Sequence, residues 1–317
     1  MIYLLLIVGF VFLIKGADLF VDGSSNISRL LRVSPIVIGL TIVAFGTSAP
    51  EATVSIIAAI DNSADVSLGN VIGSNILNMT FIVGAAAYLY PLHVKNNTIR
   101  KEIPFTLLSS ILLLILISDQ LLQKLDSNLL TRSDGLVLLI FLSIFMYYIF
   151  ELALKNRTEA TTEDVPDDIK WWKSILFTLL GLAGIIIGGQ MVVSNGKEIA
   201  LQLGMSETLV GLTIIAIGTS LPELVTSVTA ALKKESDIAL GNIVGSNIFN
   251  ILFVLGASAF ITPLPVNNKV FVDIWIMLAL TCLLFIFSRT NYRIGKIEGL
   301  CLMIAYVLYL TFIIIRN

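Results

Sequence analysis

The sequence predicts an all-α integral membrane protein of ten transmembrane helices, laid out as two inverted five-helix repeats with broken helices at the centre. Three observations carry that prediction. The first is composition: 56% of the 317 residues are hydrophobic, 13% are charged, and the mean hydropathy is +0.94. A soluble domain is about a quarter charged, so this chain has too little polar side chain to coat a water-facing surface. The second is that apolar runs approaching spanning length, about 20 residues, recur from end to end. The third is that the chain repeats itself. GLTIVAFGTSAPEATVSIIAA at 39–59 returns as GLTIIAIGTSLPELVTSVTAA at 211–231, and DVSLGNVIGSNILN at 65–78 returns as DIALGNIVGSNIFN at 237–250. Both blocks share one ungapped offset of 172 residues, and 22 of the 40 positions from 39 to 78 are identical to their counterparts.

The same numbers exclude other classes. Leu, Ile, Val and Phe are too abundant for disorder. A net charge of −2 gives no basic footprint for nucleic acid. The two cysteines, Cys282 and Cys301, lie inside apolar runs, which argues against a disulfide scaffold or a thiolate metal site.

Taken in order, the spans fall near 2–28, 35–60, 66–90, 104–118 and 132–154, then 172–202, 207–232, 238–261, 269–287 and 294–315. The first is a span rather than a secretory leader. No positive segment precedes residues 2–14, and Lys15, Asp18 and Asp22 follow where a cleavage site would stand. The fourth is the shortest. Residues 1–154 thus form the first repeat, with its motif at 39–78, and 172–317 the second, with its motif at 211–250. Between them, 155–171 carries Glu159, Glu163, Asp164, Asp167 and Asp168. This acidic run reads as a solvated hinge rather than a calcium-sensing tail.

With ten spans, fourteen Lys and Arg residues fall on one side and five on the other, and only Lys15 lies inside a span. The positive-inside rule then places both termini outside the cell membrane and the acidic connector in the cytoplasm. Five helices per repeat force the second copy to enter from the opposite face. The aligned pair Asp61 and Lys233 agrees, the acid outside and the base inside. Inverted repeats of this kind build secondary transporters whose sites lie near the midplane.

Glu51 and Glu223 stand deep in apolar helices, where an ionisable group costs at least ~2.5 kcal/mol. One such Glu could be a buried, protonated carboxyl bonded to a neighbouring helix. Two at equivalent positions of an inverted repeat are instead brought together at the centre. In GTSAPE and GTSLPE, Pro50 and Pro222 lack an N–H, so the helix breaks nearby. Such a break exposes carbonyls such as those of Ala44, Thr47, Ala216 and Thr219. These, with the hydroxyls of Ser48 and Ser220 and the two carboxylates, make a hard-oxygen set suited to calcium or sodium. A proline kink serving shape alone would leave the polar neighbours unexplained.

The second block adds Ser74 with Asn78, and Ser246 with Asn250, each pair four residues apart on one helix face. Gly69, Gly73, Gly241 and Gly245 read as helix packing. Asn70, Asn75, Asn242 and Asn247 read more as helix glue than as ligands. No transition-metal reading survives, since the sole histidine, His93, lies in a charged loop. No catalytic constellation is present either, so the chain is not read as an enzyme. Lys15 and Asp18, one turn apart, read as mutual partners or snorkelling groups.

The paired blocks GTSAPE…GNVIGSN and GTSLPE…GNIVGSN resemble the alpha repeats of the sodium/calcium exchanger family, within the cation/calcium antiporter superfamily. The likeness extends over the whole chain, and the short connector is most similar to prokaryotic members. The resemblance implies a diamond of ion sites between the repeats, a central calcium alternating with up to three sodium ions. Glu51 and Glu223 would bind both cations. Ser48, Ser220, Ser74 and Ser246 would supply hydroxyls, Ala44, Thr47, Ala216 and Thr219 carbonyls, and Asn78 and Asn250 the remaining central positions. Some members carry Asp where Asn250 stands, potassium-dependent exchangers among them, and Asn here argues against a potassium requirement. The helix at 2–28 and its partner at 172–202 would form the mobile gating pair. Sodium and calcium are then cargo, no cofactor is needed, lipid is the surrounding partner, and one chain supplies both halves of the site, so a monomer functions. Calcium/proton exchange is the alternative within transport, and a cation channel a more distant one.

Overall fold

A computed structural model describes residues 1–159, 169–203 and 216–316. Within those residues the fold is helical apart from two short strand pairs. Helix α1 (Ile2–Leu31) ends where Arg32 turns left-handed at φ 57° and bonds back to the Ser28 and Arg29 carbonyls. After Ser34, Pro35 opens α2 (Pro35–Thr47), a position where its missing N–H costs no helical bond. Helix α3 (Ala49–Ile60) follows at 49° to α2. Next come α4 (Ala64–Leu89), α5 (Ile103–Leu116) and α6 (Arg132–Glu159). The second half continues with α7 (Trp171–Gln202), α8 (Ala216–Thr219), α9 (Leu221–Leu232), α10 (Ser236–Ile261), α11 (Asn268–Arg289) and α12 (Lys296–Arg316).

Among the described residues, four π-helical turns occur: Gly39–Val43 in α2, Asn78–Ile82 in α4, Thr98–Glu102 ahead of α5 and Asn250–Leu255 in α10. Such bulges gather at functional sites. Two of them open at equivalent asparagines, Asn78 and Asn250.

Among the described residues, seven helices are long and apolar enough to cross a membrane, or eight if the bent α2–α3 pair is one span. The expected ten differ from this at two places. Helix α5 has 14 residues, about 21 Å at 1.5 Å per residue, and spans only with the π turn before it. The expected span 207–232 is described only from Ala216, since residues 204–215 lie outside the described residues. Of the acidic connector, Glu163, Asp164, Asp167 and Asp168 also lie outside them. Residues 155–159 continue α6 as helix, a turn beyond the expected span.

Helices α4 and α10 form the centre: 78% and 94% of their apolar stretches are buried, against 17–33% for α1, α6, α7, α11 and α12. The latter helices expose large side chains such as Phe10, Ile140, Leu179, Trp275 and Leu308, which lipid would cover. Helices α1 and α7 pack together along their length. A Cβ on Gly16 would stand 2.7 Å from the Ile185 nitrogen, and one on Gly188 2.6 Å from the Leu13 nitrogen, so glycine lets the two backbones touch.

Two antiparallel strand pairs tie the repeats together. Strand β1 (Leu92–His93) pairs with β4 (Arg293–Ile294), and β2 (Leu129–Leu130) with β3 (Leu264–Pro265). Each ladder turns its aliphatic pair inward: Leu92 opposite Ile294 and Leu130 opposite Leu264 are all at most 1% exposed. Cys282 and Cys301 are free and exposed.

Candidate functional site

The break between α2 and α3 places Glu51 in the first turn of α3, and the break between α8 and α9 does the same for Glu223 in α9. Ser48 and Ser220 stand at the two breaks, with ψ near zero (4° and 7°), which turns the chain between the helix halves. Both glutamates are 0% exposed. Helix α3 packs on the π turn that begins at Asn250, and α9 on the one that begins at Asn78. The four residues therefore belong to mutually packed elements at the centre.

Each carboxylate is held by the other repeat. Ser220 Oγ donates to Glu51 Oε1 at 2.9 Å, and Ser48 Oγ donates to Glu223 Oε1 at 3.0 Å. The asparagines cross over as well. Asn78 Nδ2 donates to Asn247 Oδ1 at 3.0 Å, and Asn250 Nδ2 donates to Asn75 Oδ1 and to Ser74 Oγ, both at 3.1 Å. Asn75 and Asn247 donate to each other's carbonyls at 3.2 and 3.5 Å.

A supporting layer repeats the same symmetry. Asn70 Nδ2 donates to Ser55 Oγ at 2.9 Å and to the Glu51 carbonyl at 3.3 Å; Asn242 Nδ2 donates to Ser227 Oγ at 2.9 Å and to the Glu223 carbonyl at 3.5 Å. Thr47 and Thr219 donate in turn to the side-chain oxygens of Asn242 and Asn70, at 2.9 and 3.4 Å. Asn70, Asn75, Asn242 and Asn247 thus act as the helix glue the sequence suggested. Ser55 and Ser227 were missed by the sequence reading. Their signal was there, one turn after each Glu and identical between the repeats.

This network gives each amide nitrogen of the four central asparagines at least one protein acceptor. On the glutamates and asparagines of this network, four buried oxygens have no hydrogen-bond partner: Glu51 Oε2, Glu223 Oε2, Asn78 Oδ1 and Asn250 Oδ1; Ser24, Ser67, Glu102, Thr226 and Ser258 hold others elsewhere. An orphaned buried acceptor costs about 1–3 kcal/mol. All four are acceptors and two are carboxylate oxygens, the donor type that hard cations take. Among the described residues no group of three or more His, Cys, Asp or Glu is placed to hold a metal ion.

The remaining expected ligands lie close by. Ser74 and Ser246 are buried, the first donating to the Val71 carbonyl at 3.1 Å and the second reaching the Ala44 carbonyl at 3.5 Å. Ala44, the expected carbonyl ligand of this half, lies in the last turn of α2. Its carbonyl accepts the Ser48 N–H at 3.0 Å, because the last turn of α2 closes before the chain swings away. Ala216 opens α8, and the residues before it lie outside the described ones.

The sodium/calcium exchanger protein family matches this chain over residues 1–151 and 173–315. The chain belongs to the sodium/calcium exchanger family. Among its relatives, the putative antiporter CaxA of Alkalimonas amylolytica is 41% identical over 313 residues, covering 96% of this chain and 95% of its own. The sodium/calcium exchanger MaX1 of Methanosarcina acetivorans is 35% identical, covering 97% of each chain. The solved sodium-calcium exchanger NCX_Mj, soaked with 10 mM Na+ and no Ca2+, superposes with a TM-score of 0.82 at 33% identity, covering 98% of this chain and 99% of that one. The chain is therefore a transporter of the exchanger family, a cation/calcium antiporter and not an enzyme.

Proposed function

We propose that the chain exchanges sodium for calcium across the cell membrane by alternating access to one midplane site. The observation that carries this is the set of four unpartnered oxygens on two symmetry-related carboxylates and two asparagines. Glu51 and Glu223 present a charge of −2 when ionised. One calcium ion neutralises it and three sodium ions leave +1, so sodium-loaded and calcium-loaded forms compete for one site. Ser48, Ser220, Ser74, Ser246, Asn78 and Asn250 complete the ligand set, with carbonyls of Ala44, Thr47, Ala216 and Thr219 at its edge. With neither ion bound, two unpaired carboxylates would have to cross a low-dielectric barrier, an expensive state. Exchange follows because loaded forms switch more readily than the empty one.

The ten-span inverted repeat is part of the same reading, and the strand pairings support it. Paired strands lie on one face. Pairing β2 with β3 favours an even number of crossings between them, which α6, α7 and α10 reach if the segment ending in α9 is counted with them. Pairing β1 with β4 then makes the segment Thr98–Leu116 a crossing too, and the total reaches ten. Both termini lie outside, the connector lies in the cytoplasm, and the monomer is the working unit.

The test is calcium uptake into liposomes holding the purified protein, loaded with sodium and diluted into sodium-free buffer. Uptake that needs the sodium gradient and is lost in Glu51→Gln or Glu223→Gln supports the reading. Uptake driven by a pH gradient without sodium would replace it with calcium/proton exchange, and single-channel conductance would replace it with a channel.

A further inference from the structure

The ionic contacts of the long pair α1–α7 with the central helices are one-sided. Lys233, in the turn between α9 and α10, places Nζ 2.7 Å from Asp22 Oδ1, 2.9 Å from the Asp18 carbonyl and 3.5 Å from Asp18 Oδ1. Two residues on, Glu235 Oε1 accepts from Ser25 Oγ at 2.9 Å and lies 3.8 Å from Arg29 Nη2. All four α1 partners lie in its C-terminal half, so one end of this helix is tied to the centre.

The repeat supplies a second set of the same positions. The offset of 172 continues without a gap through α1 and α7, aligning Gly9 with Gly181, Gly16 with Gly188 and Ile27 with Ile199. Under it Lys233 corresponds to Asp61, Glu235 to Ser63, Asp22 to Ser194 and Ser25 to Lys197. The turn that carries the base in one repeat carries an acid in the other, and the positions of Asp22 and Ser25 in α1 hold Ser194 and Lys197 in α7, with Glu198 next to the latter. Asp61 and Lys197 are both exposed, and neither forms an ion pair among the described residues.

We propose that these are two alternating ionic latches, one formed and one open. Lys233 with Asp18 and Asp22 closes the cytoplasmic side, and Asp61 with Lys197 closes the extracellular side after the α1–α7 pair shifts against the centre. The reversed charges give each turn a complementary partner on its own side of the molecule. By the offset, Asp61 corresponds to the base that meets Asp18 and Asp22, whose counterparts are Gln190 and Ser194, and Lys197, at the Ser25 position, corresponds to the partner of residue 63, two residues beyond Asp61. The inference rests on the alternating-access reading above.

The test uses the full-length chain with Cys282 and Cys301 replaced by Ser, reconstituted in liposomes. In D22C/K233C, oxidation is expected to cross-link the pair and lower sodium-driven calcium uptake about tenfold or more by holding one state, and reductant to restore it. In D61C/K197C, oxidation is expected to cross-link the pair only under transport conditions, again with a reversible block. Recovery on reduction shows that each variant is folded. No D61C/K197C cross-link while the same liposomes still transport overturns the latch. A cross-link that leaves uptake unchanged overturns it too. Absence of sodium-driven uptake in the unmodified protein is a failure of the antiport reading instead, and is scored before any cross-link is made.

Discussion

At the scale of single residues, the site depends on hydroxyls that serve the opposite carboxylate. Ser48→Ala strips Glu223 Oε1 of its donor and Ser220→Ala strips Glu51 Oε1 of its own. A hydrogen bond to a charged group contributes about 1.5–3 kcal/mol. Each change should therefore weaken calcium binding about 10- to 100-fold, and by similar amounts in the two repeats, read from the calcium dependence of uptake. Asn250→Asp tests the charge. It raises the fixed charge from −2 to −3, so three sodium ions would leave none and one calcium would leave −1. Voltage dependence should then pass from sodium/sodium exchange to calcium/calcium exchange, measured as isotope flux under a set membrane potential. The two glutamates were legible in the sequence because duplication shows the same anomaly twice. The cross-pairing was not, since Ser48 lies three residues from Glu51 in the chain and yet donates to Glu223. Adjacency along a helix says nothing about which carboxylate a hydroxyl meets across a break.

At the scale of elements, spans were legible wherever apolar runs were long, and the breaks were legible from Pro50 and Pro222. The π turns at Asn78 and Asn250 were not, because one extra residue in a helical turn leaves no mark in hydropathy. Nor was the role of the glycine seam between α1 and α7 fixed by spacing alone; backbone contact decides it. Gly188→Ala forces a Cβ to 2.6 Å from the Leu13 nitrogen, a clash with main chain, and should lower the thermal midpoint in detergent by several degrees. Gly189→Ala is the control one residue away. Its Cβ meets only Leu13 Cδ2 and Pro222 Cγ, both at 3.9 Å, and its midpoint should stay within a degree or two. Equal melting of the two variants would mean that the seam does not hold the pair together.

At the scale of the whole molecule, the strand pairs make a statement about sidedness that hydropathy cannot. Single cysteines at 124 and 268 should react with a membrane-impermeant maleimide from outside in a background free of Cys282 and Cys301. Those at 96 and 291 should react only after permeabilisation. Labelling of 124 from one side and 268 from the other would break the β2–β3 argument and the ten-span count with it. The chain's duplication was legible from one offset. Its two strand pairs were not, because each ladder is two residues long and joins stretches more than a hundred residues apart. The serine-to-glutamate bonds also bear on descent. Neither half of the chain can finish its own carboxylate site; each borrows its donor from the other. A half-length ancestor would have worked only as an antiparallel pair of identical chains, one inserted each way up. Such a gene would have had no reason to favour either orientation, and the fourteen-to-five bias of basic residues that the ten-span reading implies would be a later acquisition, made once fusion had fixed each copy in its own direction.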